Sequence, residues 1–175
     1  MLSLVNTTEE EVVEFFCRHP TGEYSVSDVS RQLGYSKPSI SQSFDTLNRQ
    51  GVLKIEEKRN SKLATFKRGE NAALKQLINL NQLRTSGLIT QIVDDYEYPE
   101  AIVLFGSYAK GEDTENSDID IAVISTEKTE QKYKKLMGRK ISITNFEPGK
   151  VPENMMETLA NGITLYGYLG TSNSE

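Results

Sequence analysis

The segment GSYAKGEDTENSDIDIAV, residues 106–123, is the part of the sequence that most restricts the possible fold. Asp118 and Asp120 alternate with isoleucines, and successive side chains of a strand point to opposite faces. The alternation therefore predicts a strand that carries both carboxylates on one face. The apolar run 101–105 predicts a second, buried strand, and this strand ends directly at Gly106-Ser107.

The same segment indicates a particular chemistry. A helix that starts at Gly106-Ser107 would direct backbone N–H groups and a hydroxyl toward one point, which favours a phosphate. Two carboxylates on one strand face repel each other unless a hard cation is shared between them. The pattern thus indicates Mg²⁺ held by Asp118, Asp120 and the phosphates of a nucleotide.

This motif resembles the signature of the DNA polymerase β-like nucleotidyltransferase superfamily: Gly-Ser, ten residues, then Asp-x-Asp. The similarity is closest to the small members called minimal nucleotidyltransferases, and it covers about residues 98–168, including the closing NGITLYG. It implies an enzyme that transfers a nucleoside monophosphate from a nucleoside triphosphate to a hydroxyl, with Mg²⁺ as cofactor. The implied site residues are Asp118 and Asp120 for catalysis and metal binding, and Gly106, Ser107 and Lys110 for nucleotide binding.

The sequence departs from this family at the third metal-binding carboxylate, which the resemblance places on the next strand, RKISITNF. Ser142 stands where that acid is expected, and a neutral hydroxyl weakens a two-metal site. Glu147 and Asp113 are the alternatives for the third ligand. A second hypothesis is therefore a nucleotide-responsive transcription regulator whose catalytic fold binds its ligand without turnover.

The first 70 residues show a different pattern, in which three helices precede a charged hairpin. Caps and glycines predict helices from Thr7 to about Arg18, from Ser25 or Ser27 to Gly34, and from Ser36 to Gly51. Two short strands, VLKIEE and KLATFKR, follow. The arrangement resembles the winged helix-turn-helix domains of prokaryotic transcription regulators, over about residues 7–68.

That resemblance implies duplex DNA as a partner. Residues expected toward the major groove are Ser36, Lys37, Ser39 and Gln42, and residues expected on phosphates are Lys58, Arg59 and Lys62. Residues 25–70 carry nine lysines and arginines against five acids, or +4, whereas residues 71–175 carry ten against fifteen, or −5. The alternative is a winged helix used for dimerisation or protein contact.

The sequence as a whole predicts an α+β protein, with an N-terminal winged helix-turn-helix and a C-terminal nucleotidyltransferase-type mixed sheet flanked by helices. The expected division is a DNA-binding domain at 1–70, a helical connector at 71–97 and a nucleotidyltransferase domain at 98–170. The connector fits one long helix, or two helices broken near Ser86-Gly87. Its apolar positions predict packing on the second domain or on a dimer partner.

Composition limits the remaining possibilities. One cysteine and one histidine exclude an internal disulfide and leave little for a Cys/His zinc site or a Ser-His-Asp triad. The chain has no basic-then-apolar opening and no apolar run near the ~20 residues of a membrane span, so we expect a cytoplasmic protein without a membrane partner.

DNA binding by a winged helix predicts a homodimer. A third hypothesis, from the family resemblance, is an antitoxin paired with a small helical toxin.

Overall fold

The computed structural model describes residues 7–58, 61–129, 133 and 135–170. The chain divides into two compact units, Met1–Ala72 and Ala73–Glu175. Among the described residues, none of the helices has both the length and the apolar character that crossing a bilayer requires.

The first unit has three helices and a three-stranded antiparallel sheet. In chain order its elements are α1 (Thr8–Arg18), β1 (Glu23–Ser25), α2 (Val26–Leu33), α3 (Lys37–Arg49), β2 (Leu53–Lys58) and β3 (Ser61–Phe66). The strand order is β1-β3-β2, and β2 and β3 form the wing. The short strand β1 was not predicted from the sequence.

Side-chain caps explain where the helices of the first unit begin. Thr7 and Glu10 form a reciprocal capping box at the start of α1, and Ser25 and Asp28 form another at the start of α2. Ser36 caps α3 by accepting a hydrogen bond from the backbone N–H of Ser39. The buried sides of the helices form the core of the unit, which includes Val12, Phe16, Val29, Ile40 and Phe44.

The second unit consists of a four-stranded mixed sheet with helices. Its elements are α4 (Ala72–Thr85), α5 (Leu88–Asp95), β4 (Ala101–Phe105), α6 (Gly106–Lys110), β5 (Ile119–Ile124), β6 (Ile141–Phe146), α7 (Glu153–Ala160) and β7 (Ile163–Gly167). The strand order is β6-β5-β4-β7, in which β4 runs antiparallel to β5 and β7, and β5 runs parallel to β6. The predicted α+β fold, with its winged helix-turn-helix and its mixed sheet, is confirmed.

Apolar residues cover both faces of this sheet. On one face, Ile121 and Val123 of β5 lie in a core cluster with Leu83 of α4 and Ile92 of α5. On the other face, Ala122 of β5 lies in a cluster with Leu159 of α7 and three other buried residues. Helices α4 and α5 are separated at residues 86–87, so the segment treated above as a connector forms two helices whose buried residues belong to the second unit.

Candidate functional site

Gly106 and Asp120 are in direct contact at the ends of two paired strands. Phe105, the last residue of β4, lies opposite Asp120 of β5 in the antiparallel register. Gly106 follows with a φ of +74°, a left-handed backbone conformation that residues other than glycine rarely adopt. A Cβ on Gly106 would lie 2.5 Å from Oδ2 of Asp120. A glycine is therefore required both by the backbone and by the position of this carboxylate.

The two aspartates of the motif lie at the start of β5, where they influence each other. Burial raises the pKa of the Asp120 carboxyl, and the negative charge of Asp118 raises it further, while Lys140 lowers it. Two like charges at a half-buried position repel each other, and a divalent cation shared between them would relieve this repulsion. Carboxylate oxygens are also the ligands that Mg²⁺ prefers, so the donor set fits this metal.

Lys140 is a residue of this site that the sequence analysis did not identify. Its Nζ lies 3.8 Å from Oδ2 of Asp118, and both side chains are exposed. The β5–β6 pairing brings it there, because Lys140 immediately precedes Ile141, the partner of Ile119. A cation at this position can neutralise Asp118 or contact a phosphate held nearby.

Ser142 lies where a third metal-binding carboxylate was expected. In the parallel pairing of β5 with β6, Ser142 is the register partner of Asp120. The alternation along β6 places Ser142 on the same face as Phe146, which packs on the α7 side of the sheet. Asp120 lies on this side too, because it shares a face of β5 with Ala122. A hydroxyl therefore faces the aspartates from the neighbouring strand.

Asp113 is not available as a substitute ligand, because it is completely buried within an ion-pair network. It pairs with Lys75 of α4, and Nη2 of Arg139 lies 2.8 Å from its Oδ2. Asn79 donates a further hydrogen bond of 2.8 Å to Oδ1. The network connects α4 to the loop before Asp118 and to the residues before β6. Asp113 therefore has a positioning role.

Glu147 is too far along β6 to act with the aspartates. It lies five residues beyond Ser142, which corresponds to about 16 Å along a strand. Its carboxylate pairs with Lys150 at 2.6 Å and with Lys128 at 3.4 Å, and these cations hold its pKa below the ordinary value. Across the described residues, no group of three or more acidic, histidine or cysteine side chains is arranged for a metal ion.

The remaining residues of the nucleotide motif belong to α6. Ser107 is half-buried in its first turn, and Lys110 is exposed at its end. The helix stops at Gly111, which is left-handed with a φ of +70°. Both side chains thus belong to the short helix that begins at Gly106, the residue in contact with Asp120.

The residues predicted to face DNA bases lie at the start of α3. Lys37 and Gln42 are exposed, whereas Ser39 is half-buried and its carbonyl oxygen accepts a hydrogen bond from the Ser43 hydroxyl. Ser36 is exposed and its hydroxyl oxygen already serves as the N-cap. Lys37 and Gln42 are therefore the most accessible of the four.

The predicted phosphate contacts on the wing have acidic neighbours. Lys58 pairs with Glu23 at 3.0 Å and with Glu56 at 3.2 Å. Nζ of Lys62 lies 2.8 Å from Oδ1 of Asp45 on α3, and its side chain is only 22% exposed. Lys62 therefore joins the wing to α3. Arg59 lies outside the described residues, and its phosphate contact stays a prediction.

The fold combines a helix-turn-helix unit with a mixed-sheet unit that carries the Gly-Ser and Asp-x-Asp motif. Comparison with protein families agrees: residues 88–168 match the model described as Polymerase beta, Nucleotidyltransferase. Residues 11–54 match the model described as Bacterial regulatory protein, arsR family. The second unit is thus similar to polymerase β-type nucleotidyltransferases, and the first unit is similar to the helix-turn-helix domains of arsR-family regulators. Searches of curated proteins and of solved structures found no match.

Proposed function

We propose that the second unit binds a nucleoside triphosphate with Mg²⁺ and transfers its nucleoside monophosphate to a hydroxyl acceptor, and that the first unit binds duplex DNA. The observation that carries the nucleotide assignment is the packing of Gly106 against Asp120. Because Gly106 has no side chain, its backbone lies close to Asp120, whose carboxylate forms with that of Asp118 a pair that fits a divalent cation.

Each residue has a role in the proposed reaction. Asp118 and Asp120 would hold Mg²⁺, and Gly106, Ser107 and Lys110 would hold the phosphates. The bound metal ion would neutralise phosphate charge and polarise the phosphoryl group. The acceptor oxygen forms a bond to the α-phosphorus, the bond to the bridging oxygen breaks, pyrophosphate leaves, and the hydroxyl proton is released.

Labelled nucleotides give a direct test of transfer. The full-length protein is incubated with each α-labelled nucleoside triphosphate and Mg²⁺, with and without cell extract, and labelled products and pyrophosphate are measured. Asp118→Asn and Asp120→Asn should abolish any transfer, because each removes a charged ligand. Asp94→Asn, an exposed change on α5, is the matched control. Equal transfer by the two site variants and the control would refute the assignment.

A second candidate is a regulator that binds nucleotide without transferring it. The observation that favours it is the register pairing of Ser142 with Asp120, which leaves the aspartates without a third acid. A regulator of this kind would bind nucleotide and Mg²⁺ but release no pyrophosphate. Pyrophosphate release by the unmodified protein at about 1 per second or faster would exclude it.

DNA binding is proposed for the first unit on the basis of its winged helix-turn-helix and its arsR-type match. Lys37 has no ion pair among the described residues, so we expect it to contact a phosphate. Lys37→Ala should weaken binding to all duplexes and flatten the salt dependence by about one unit. Lys54→Ala, which changes an exposed lysine paired with Glu56 at 2.8 Å, is the control.

A titration of the full-length protein with pooled genomic DNA at two salt concentrations measures both effects. No salt-dependent binding by the unmodified protein would leave the winged helix as a protein-contact module. The homodimer and the helical toxin partner stay predictions.

A further inference from the structure

A small cavity lies between α6 and α7 in the second unit. Its volume is about 210 Å³, and it is lined on one wall by Gly106, Ala109 and Lys110, and on the other by Glu157, Thr158 and Asn161. The sequence analysis identified none of the α7 residues, because it did not predict this helix. The cavity is therefore a feature that only the fold reveals.

The cavity adjoins the carboxylate pair. Gly106 lines it and also contacts Asp120, and Phe105, another lining residue, is the register partner of Asp120. Pockets for drug-sized ligands measure about 300–1,000 Å³, so this cavity holds one ring system and not a whole nucleotide. Gly106 and Lys110 would thus lie where the phosphate site and this cavity meet, and a nucleotide with its phosphates at the aspartates can place its base against the α7 wall.

The α7 wall offers hydrogen-bond acceptors. The Glu157 carboxylate can only accept. Nδ2 of Asn161 donates to the main-chain oxygen of Glu157 at 2.9 Å, which leaves Oδ1 of Asn161 as an acceptor. The Thr158 hydroxyl donates to the carbonyl oxygen of Asn154 at 3.2 Å. A base that suits this wall must present neighbouring N–H donors.

Guanine is the common base with two adjacent donors on one edge, N1–H and the N2 amino group. Adenine and cytosine each place an acceptor beside their single amino group, and uracil has one ring N–H. We propose that this cavity receives the base of the nucleotide and that Glu157 selects guanine by accepting from N1–H and N2–H together. This inference rests on the proposed function, because the aspartates must hold the phosphates.

The test compares ligands that differ at one donor. Calorimetry on the full-length protein with Mg²⁺ measures the affinity for GTP, for ITP, which lacks only the N2 amino group, for ATP and for inorganic tripolyphosphate. Glu157 is exposed, so the discrimination rests on the hydrogen bonds that are lost: we expect GTP to bind about tenfold more tightly than ITP or ATP, because each analogue lacks a hydrogen bond to a charged carboxylate.

Glu157→Gln removes one of the two carboxylate acceptors and should lower GTP affinity to the level of ITP, with tripolyphosphate binding unchanged. Glu153→Gln, an exposed change on the same helix that does not line the cavity, should behave as the unmodified protein. Affinities for GTP, ITP and ATP within about twofold, or equal losses in the two variants, would overturn the base assignment alone. No Mg²⁺-dependent binding of any ligand, tripolyphosphate included, would overturn the proposed function as well.

Discussion

Removal of the Asp113 carboxylate should severely destabilise the second unit. Asp113 lies between two cations, Lys75 and Arg139, and the side chains of Asp113 and Lys75 are 0% exposed and that of Arg139 only 2%. Asp113→Ala would remove the carboxylate with which both buried cations pair. Neither cation can reach water without a rearrangement of α4 or of the segment before β6.

The size of the effect follows from this burial. Removing one partner of a buried ion pair typically costs about 3–5 kcal/mol, because the remaining charge is uncompensated. Two buried cations lose this carboxylate in Asp113→Ala, so we expect a loss of stability of at least the lower bound. A domain near 100 residues shifts its Tm by roughly 4–8 °C per kcal/mol, which predicts a loss of at least ~12 °C. Lys75→Met should cost less, because Asp113 keeps Arg139 and its hydrogen bond from Asn79.

Differential scanning calorimetry of the full-length chain measures this change, and the transition that moves in Asp113→Ala identifies the second unit. Asp94→Ala is the matched control, since an exposed acidic residue should contribute within about 0.5 kcal/mol. A loss smaller than about 1 kcal/mol for Asp113→Ala, or no larger than that of Lys75→Met, would contradict the reasoning.

Three further changes test the site and the first unit. Gly106→Ala should abolish Mg²⁺-dependent nucleotide binding in calorimetry. The left-handed backbone costs an alanine about 1–2 kcal/mol, and the new Cβ would displace Asp120. Unchanged binding would be inconsistent with the contact between Gly106 and Asp120. Ser142→Asp should raise the transfer rate in the labelled-nucleotide assay by tenfold for each ~1.4 kcal/mol of added transition-state stabilisation, and an unchanged rate would mean that position 142 does not limit turnover. Hydrogen bonds from Ser25 lower the pKa of Asp28 from its ordinary 3.8, so the stability it contributes is present above pH 3.8 and is lost as the pH falls further. Acid titration followed by circular dichroism should show a smaller loss for Asp28→Asn than for the unmodified protein, and equal losses would argue against the cap.

Local sequence signals were sufficient to predict the ends of those helices that begin at a capping side chain or end at a glycine. Thr7, Ser25 and Ser36 cap helices in the structure, and Gly34 ends α2 in a left-handed conformation. The alternation around Asp118 predicted β5 for the same reason, since the period of a strand is visible in a few residues. These features depend on neighbours in the chain, and the sequence therefore reveals them.

Contacts between distant residues were not predictable in this way. Lys75 would ordinarily be exposed on a helix, and its partner Asp113 lies 38 residues further along the chain. Strand β1 has three residues and exists through its pairing with β3. Helix α7 begins after Pro152 without a side-chain cap hydrogen bond, and no local signal indicates that it lies beside α6, so Glu157 could not be assigned to the site.

The alternation along β6 separates residues that pack on the core from the residue that faces the aspartates. Ile141 and Ile143 pack on the core, whereas Ser142 between them faces the aspartates. Substitutions at positions 141 and 143 therefore disturb the core, whereas a substitution at position 142 changes the face that carries the aspartates. A serine-to-aspartate change at position 142 would therefore alter the surroundings of the aspartates without repacking Ile141 and Ile143, so the proposed transfer activity could be varied separately from the stability of the fold.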